Sequence, residues 1–511
     1  MRDSNSNRRF VTRIRIATFL CLLVVLIIIG RLYMLQIIQG ESYAQRADAQ
    51  IVIQTTPLID RNTIFFTDKN GGEITAATLR LPKEGTSERM RYYPGGTLAA
   101  HTIGFVAYNN DDVQKGRYGL ERYYDQMLAR ASEDLYANFF VELFGTVKDF
   151  LEGAEQTGDI VTTLEPSVQA ELERTLQLYA TSWNPALSGG IVMDPKTGEI
   201  YAMAVSPTFD LNHFNEQTNT EIFKNPLVES VYEMGSIIKP LTMAAGLDSK
   251  VITPESTYND TGSITLDEKK ISNFDGRARG VVPMQEILSQ SLNLGVSFIA
   301  TRLGQERMRK YFLEHYRLGE ETGIDLPGEI HGLTDNLQSS RMVEFATASF
   351  GQGIATTPIE TVRALNTLAN GGYLVTPHLI KSVHYDTGLE REMGWGEPEK
   401  VLKSETTLAV SRMLTKVVDD ALANGTIKLD RYSVAAKTGT AQIANPAGGG
   451  YYADRFLHSF FGYFPSYDAK FIIFLFAVEP KGAPFASQTW AQPFHSLTQF
   501  LIYYYAIPPD R

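Results

Sequence analysis

A serine hydroxyl is a poor nucleophile until a base takes its proton. The sequence offers one serine with a lysine placed to do so. Gly235-Ser236-Ile237-Ile238-Lys239 holds the chain's single Ser-x-x-Lys pair. On a helix, positions i and i+3 share a face, which would bring the Lys239 amine beside the Ser236 hydroxyl. Pro240 fits such a helix because the first turn has no internal donor to lose. The amine can act as a base only when neutral, a state favoured by burial or by a nearby cation. A serine at a helix N-terminus gains further, since the dipole and free N–H groups stabilise developing negative charge. Taken alone, the pair fits an N-capping serine beside a surface lysine equally well.

Two further short segments could complete a site. Ser291-Leu292-Asn293 lies between two helical patterns and by itself reads as a capping or loop serine. Lys437-Thr438-Gly439-Thr440 ends the strand-like run that begins at Ser433. A strand edge of that composition can offer a backbone N–H, two hydroxyls and an ammonium to a carboxylate and its neighbouring carbonyl. Lys196-Thr197-Gly198 repeats the Lys-Thr-Gly wording but follows Asp194-Pro195 and leads into a strand, so it is expected to be the turn of a hairpin.

Ser-x-x-Lys, Ser-x-Asn and Lys-Thr-Gly in this order form the signature of the penicillin-interacting serine enzymes. The sequence resembles the class B penicillin-binding proteins over nearly its whole length. Arg61 to Gly71, Tyr93-Pro94-Gly95-Gly96 and Gly116 to Asp125 are similar to their N-terminal module. Tyr232 to Ser236, Phe350-Gly351-Gln352-Gly353 and Lys437 to Gln442 are similar to their transpeptidase domain. The resemblance implies a peptidoglycan D,D-transpeptidase in which Ser236 attacks the D-Ala-D-Ala carbonyl of a stem peptide and Lys239 takes the serine proton. Ser291 and Asn293 would relay protons and hold the peptide amide. Lys437, Thr438, Gly439 and Thr440 would receive the terminal carboxylate, and the N–H groups of Ser236 and Thr440 would form the oxyanion hole. It also implies β-lactam binding, a place in cell-division wall synthesis, and a polytopic lipid II polymerase as partner. The Tyr-Glu-x-Gly-Ser wording is more similar to the division-type than to the elongation-type branch.

Some residues depart from the family pattern. Asn62 follows Arg61 where glycine is usual, Met234 replaces a common proline, and Ala436 stands where glycine often precedes Lys-Thr-Gly. Leu128-Ala129-Arg130 lacks the usual glycine. None removes a catalytic group. A class A β-lactamase would need a Glu-x-x-Leu-Asn segment, which is missing. The roughly hundred residues before the transpeptidase are too few for a glycosyltransferase domain. A D,D-carboxypeptidase or a non-catalytic β-lactam-binding scaffold stays open.

The elements that must carry these residues follow from composition and periodicity. A chain of 511 residues is expected to form two or three units. A net charge of -11 with no basic stripe argues against a nucleic-acid partner. Arg2, Arg8, Arg9, Arg13 and Arg15 precede an apolar run over 16–38 that is broken only by Arg31. As one helix it would span roughly 34 Å, enough for a bilayer. No small-x-small cleavage site follows it closely, so an uncleaved single-pass anchor is expected, with residues 1–15 in the cytoplasm and the rest outside. Cys21 is the only cysteine and lies in this segment, which excludes a disulfide, a thiol nucleophile and a cysteine-bound metal for the exported part. The histidines are scattered without an H-x-x-x-H pair, and no metal or cofactor is expected.

The expected organisation is α+β and multidomain. Residues 39–157 read as an extended pedestal module with turns at Asn70-Gly71-Gly72 and Tyr93-Pro94-Gly95-Gly96, and residues 158–511 as the transpeptidase domain. There the patterns predict a hairpin over 189–203, helices over about 236–247, 284–289, 295–303, 359–370 and 405–423, and strands over 433–440, 458–463 and 471–478. A final helix is predicted over about 493–506. Together they predict a central antiparallel sheet covered by helices.

Overall fold

The computed structural model describes residues 61–80, 90–108, 114–129, 157–445 and 449–511, together with Arg15, Phe19, Leu22, Leu23, Leu26, Ile28 and Arg31, which are helical. The rest of the expected tail, anchor and pedestal lies outside the described residues. Among the described residues, no helix is long and apolar enough to cross a membrane. Ile59–Arg511 forms one compact unit.

The centre of the later part of the chain is a five-stranded antiparallel sheet. Its order is Ala435–Ala444, Tyr451–Phe464, Phe471–Val478, Leu187–Met193 and Ile200–Ser206. Phe471–Val478 is apolar throughout because, as the middle strand, it is covered on both faces. On one face the helices Pro166–Trp183 and Ala486–Tyr504 pack together, with Trp490 stacked on Tyr179 at 3.7 Å. The other face receives the segment around Ser236. The strand carrying Lys437 lies at the sheet edge, with one side of its backbone free of a strand partner.

A second, six-stranded sheet joins early and late parts of the chain in the order Glu390–Glu392, Ile380–Tyr385, Gly158–Thr162, Ile64–Thr67, Glu73–Arg80 and Met90–Tyr92. Gly158–Thr162 pairs in parallel with Ile64–Thr67 and antiparallel with Ile380–Tyr385. The segments quoted from the N-terminal module meet beneath this sheet in a buried charge network. Glu121 accepts hydrogen bonds from Arg61 Nε and Arg91 Nε, each at 2.7 Å, and from the Tyr93 hydroxyl at 3.3 Å. Arg61 also donates to Asp125 at 2.9 Å. Burial would raise the Glu121 pKa, but the two guanidinium charges outweigh it and hold the carboxyl below its ordinary value.

Local differences from the sequence reading have identifiable causes. Ser236 lies in a 3₁₀ turn, Gly235–Ile238, and the α-helix begins only at Lys239 and runs to Asp248. Pro240 has no N–H to give the Ser236 carbonyl, so that carbonyl takes the Lys239 N–H in a three-residue step instead. The last helix starts at Ala486, seven residues before the expected point, and carries Pro493 inside it. The proline read as a start because prolines favour first turns. The helix over Ser404–Lys416 gives way to a π turn, Val417–Ala421, and then to a turn in which Ala423 and Asn424 are left-handed.

Candidate active site

Three separated segments converge on one hydroxyl. Lys239 Nζ donates to the Ser291 carbonyl at 2.5 Å, to Asn293 Oδ1 at 2.8 Å and to Ser291 Oγ at 3.1 Å. Lys437 Nζ reaches the same Ser291 Oγ at 3.1 Å and the Thr438 carbonyl at 3.0 Å. Both lysines are almost fully buried, Lys239 with 0% and Lys437 with 3% of its surface exposed. Ser236, Ser291, Asn293, Lys437, Thr438 and Thr440 line a single cleft of about 750 Å³. The sequence-predicted residues are thus brought together, with one difference in detail. Lys239 bonds to Ser291 and Asn293, and Ser236 Oγ has no hydrogen-bond partner among the described residues. A buried ammonium takes the acceptors within its reach, and the Ser291–Asn293 turn supplies three.

Two buried amines with one hydroxyl between them cannot both carry a full charge at low cost. Burial lowers the Lys239 pKa well below the usual lysine value, and the Lys437 charge lowers it further. Burial alone brings Lys437 to about 7. The hydrogen bonds accommodate one neutral amine without loss. A neutral Lys239 keeps two N–H bonds, to the Ser291 carbonyl and Asn293 Oδ1, and accepts the Ser291 hydroxyl proton, while Lys437 donates to Ser291 Oγ as an ammonium. Among the described hydrogen-bond partners of Lys239, the Ser291 hydroxyl is the one that can reverse direction.

Local backbone explains why these segments fit. Ser291 is left-handed at φ 55°, which turns its side chain and its carbonyl toward the amine just before the helix Asn293–Arg309. Asn293 Nδ2 donates to the Ser272 carbonyl at 3.0 Å, which orients its Oδ1 toward Lys239 and leaves its second N–H without a partner among the described residues. Asn273 Oδ1 accepts the Leu294 N–H, and its amide is fixed on buried Asp260. Gly235 has φ 65°, and its N–H donates to the Gly351 carbonyl. A Cβ on Gly351 would lie 2.3 Å from the Gly235 carbonyl, so the Phe350-Gly351-Gln352-Gly353 segment braces the Gly235-Ser236 turn at contact distance. Thr440 Oγ1 accepts the Ala486 N–H at 3.0 Å, leaving its own proton to donate.

Two of the departures noted in the sequence have local compensations. Met234 has φ -78°, a value that proline would share. Ala436 pairs with Gly462, where a Cβ would lie 2.9 Å from the Ala436 methyl, so the missing glycine is supplied across the strand. Lys196 of the hairpin turn bonds to Asp468 at 2.5 Å and is half exposed, apart from the cleft. Ser272, Asn273 and Gly351 acquire roles that no spacing announced; only Gly351 lay in a segment the sequence had singled out.

The model of the penicillin binding protein transpeptidase domain matches residues 189–497, more than half of the chain. The chain belongs to that family. It is 30% identical over 422 residues to stage V sporulation protein D of Bacillus subtilis, covering 80% of this chain and 62% of that protein. It is 28% identical to penicillin-binding protein PbpB of Mycolicibacterium smegmatis, covering 85% of this chain and 68% of the relative. The chain therefore spans about two thirds of the length of these relatives. The crystal structure of penicillin binding protein 3 from Mycobacterium tuberculosis superposes with a TM-score of 0.75 at 26% identity, covering 89% of this chain and 98% of that one. The same protein has been solved in complex with aztreonam and with ampicillin.

Proposed function

We propose that this chain is a peptidoglycan D,D-transpeptidase of septal wall synthesis, with Ser236 as nucleophile and Lys239 as its base. The observation that carries the reading is the pair of buried lysines on Ser291 Oγ in the cleft that Ser236 also lines. When a stem peptide fills the cleft, its terminal carboxylate meets Lys437, Thr438 and Thr440, while Gly439 lets the strand lie close against the Met234-Gly235 backbone. The free Asn293 N–H takes the peptide carbonyl. Ser236 Oγ attacks the penultimate D-Ala carbonyl while the Lys239 lone pair turns from the Ser291 hydroxyl to take its proton, and the oxyanion sits on the N–H groups of Ser236 and Thr440. Collapse breaks the peptide C–N bond. The leaving D-Ala amine takes a proton from Lys239 by way of Ser291, which leaves an ester on Ser236. An amine of a second stem then attacks the ester and gives up its proton to Lys239, which passes it to Ser236 Oγ as the ester C–O bond breaks. The new amide is the cross-link and the serine is restored. A β-lactam follows the first half of this path, its ring amide opening onto Ser236. The M. tuberculosis complexes with aztreonam and ampicillin support that extension.

The arginine-flanked apolar run over 16–38 supports a single-pass anchor with a cytoplasmic N-terminus and residues 158–511 outside as the catalytic domain, with residues 39–157 as the pedestal. The anchor and pedestal would engage a polytopic lipid II polymerase and other division proteins. The enzyme is tested by mixing the purified full-length chain with a stem pentapeptide donor and an amine acceptor, then measuring free D-Ala and cross-linked product by mass. Equal amounts of both are expected. D-Ala with only hydrolysed donor would make it a carboxypeptidase, and neither product would leave a β-lactam-binding scaffold.

A further inference from the structure

The proposed chemistry needs two N–H groups, on Ser236 and on Thr440, at one fixed separation. They belong to segments 204 residues apart in sequence, so something other than the chain must set the gap. Ser459 lies on the strand Tyr451–Phe464, directly opposite Gly439, and is fully buried. Its Oγ donates to the Met234 carbonyl at 2.8 Å, two residues before the nucleophile. A Cβ on Gly439 would lie 2.3 Å from Ser459 Oγ and 2.6 Å from the Met234 carbonyl oxygen. The third residue of Lys-Thr-Gly-Thr is therefore glycine at a point where a side chain would occupy this hydrogen bond. The same strand holds the turn a second time at its start. Tyr451 donates its hydroxyl to Glu233 Oε1 at 3.1 Å, and the same oxygen accepts the Gly353 N–H at 3.0 Å.

We propose that Ser459, seconded by Tyr451, is a positioning residue that docks the nucleophile turn onto the sheet and fixes the distance between Ser236 and the Thr440 backbone. Neither side chain touches the reacting atoms. Ser459 acts through Met234 and Tyr451 through Glu233, the two residues ahead of Gly235-Ser236. The inference rests on the acyl-transfer reading of the site. It assigns to the neighbouring strand a part in catalysis that none of the three motifs contains. A residue that merely stabilised the fold would change the amount of folded protein. A residue that sets this gap changes the rate of the covalent step in protein that is folded.

The test uses the full-length chain and a fluorescent penicillin at several concentrations, which separates the rate constant of the covalent step from the concentration for half-saturation. Ser459→Ala is expected to slow the covalent step at least tenfold, with half-saturation within threefold of the parent and a cooperative thermal transition retained. Ser459→Thr, which keeps the hydroxyl, is expected to recover most of the rate. Tyr451→Phe removes one hydroxyl from a partly exposed ring and is expected to slow the covalent step two- to fivefold. A folded Ser459→Ala protein that acylates at the parental rate overturns the proposal. If Ser459→Ala does not fold, a parental rate in Tyr451→Phe overturns it instead. A parent that is not labelled at Ser236 would sink the acyl-transfer reading and this inference with it, whereas a labelled parent with unaffected variants sinks this inference alone.

Discussion

Replacing Ser291 with alanine deletes an oxygen 3.1 Å from Lys239 Nζ and 3.1 Å from Lys437 Nζ. Lys239 keeps the Ser291 carbonyl and Asn293 Oδ1, and Lys437 keeps the Thr438 carbonyl, so neither amine is stranded. Of the two hydrogen bonds lost, the charge-assisted one from Lys437 dominates, at about 1.5–3 kcal/mol. At about 1.4 kcal/mol per factor of ten, acylation should fall roughly 10- to 150-fold. Ser291→Gly separates chemistry from backbone strain. Glycine tolerates the left-handed φ of 55° better than alanine by about 1 kcal/mol, so the glycine protein should melt higher than the alanine protein yet acylate no faster. Stopped-flow acylation by a fluorescent penicillin, with thermal unfolding of both variants, measures the two effects. Acylation by Ser291→Ala within threefold of the parent would refute the hydroxyl's role between the amines. A glycine variant faster than alanine by the same margin as its stability gain would refute the separation.

The remaining expectations concern charge. Lys239→Arg keeps the cation but cannot lose a proton, so acylation should disappear although the protein folds; measurable labelling of Ser236 in that variant would remove Lys239 as base. The ratio of acylation rate to half-saturation should fall on the acid side as Lys239, depressed by burial and by the Lys437 charge, becomes protonated. It should fall on the alkaline side above about pH 7 as Lys437 loses the charge that receives the carboxylate. Lys437→Gln should abolish the alkaline limb and, by removing the neighbouring cation, move the acid limb to higher pH; an unmoved acid limb would contradict the coupling. Glu121→Gln leaves two buried guanidinium groups without their shared carboxylate and should cost about 3–5 kcal/mol, read as a lowered thermal midpoint.

The sequence carried the site more fully than the fold around it. Ser236, Lys239, Asn293 and Lys437 were legible only together, because three short segments in a fixed order form a pattern that none of them makes alone. The apolar run Phe471–Val478 and the hairpin closed by Lys196-Thr197-Gly198 were legible because burial on both faces and turn chemistry leave one-dimensional traces. What could not be read is contact between distant segments. No periodicity announces that Ser272 orients Asn293, that Gly351 lies against Gly235, or that Gly462 makes room for Ala436. The direction of the Lys239 amine was also hidden, since helical spacing fixes its face but not which buried acceptors it meets. The early segments around Arg61, Tyr93 and Glu121 were recognisable as words, and only the folded chain shows them as one charge network.

The central claim is that Ser236 forms a covalent acyl-enzyme with Lys239 as its base, and adduct mapping tests it most directly. The full-length chain and its Ser236→Ala variant are incubated with a penicillin, digested, and the modified peptide sequenced by mass. The account predicts a slowly hydrolysed adduct on Ser236 that the variant lacks. An adduct on another serine, or none in the parent, would contradict it.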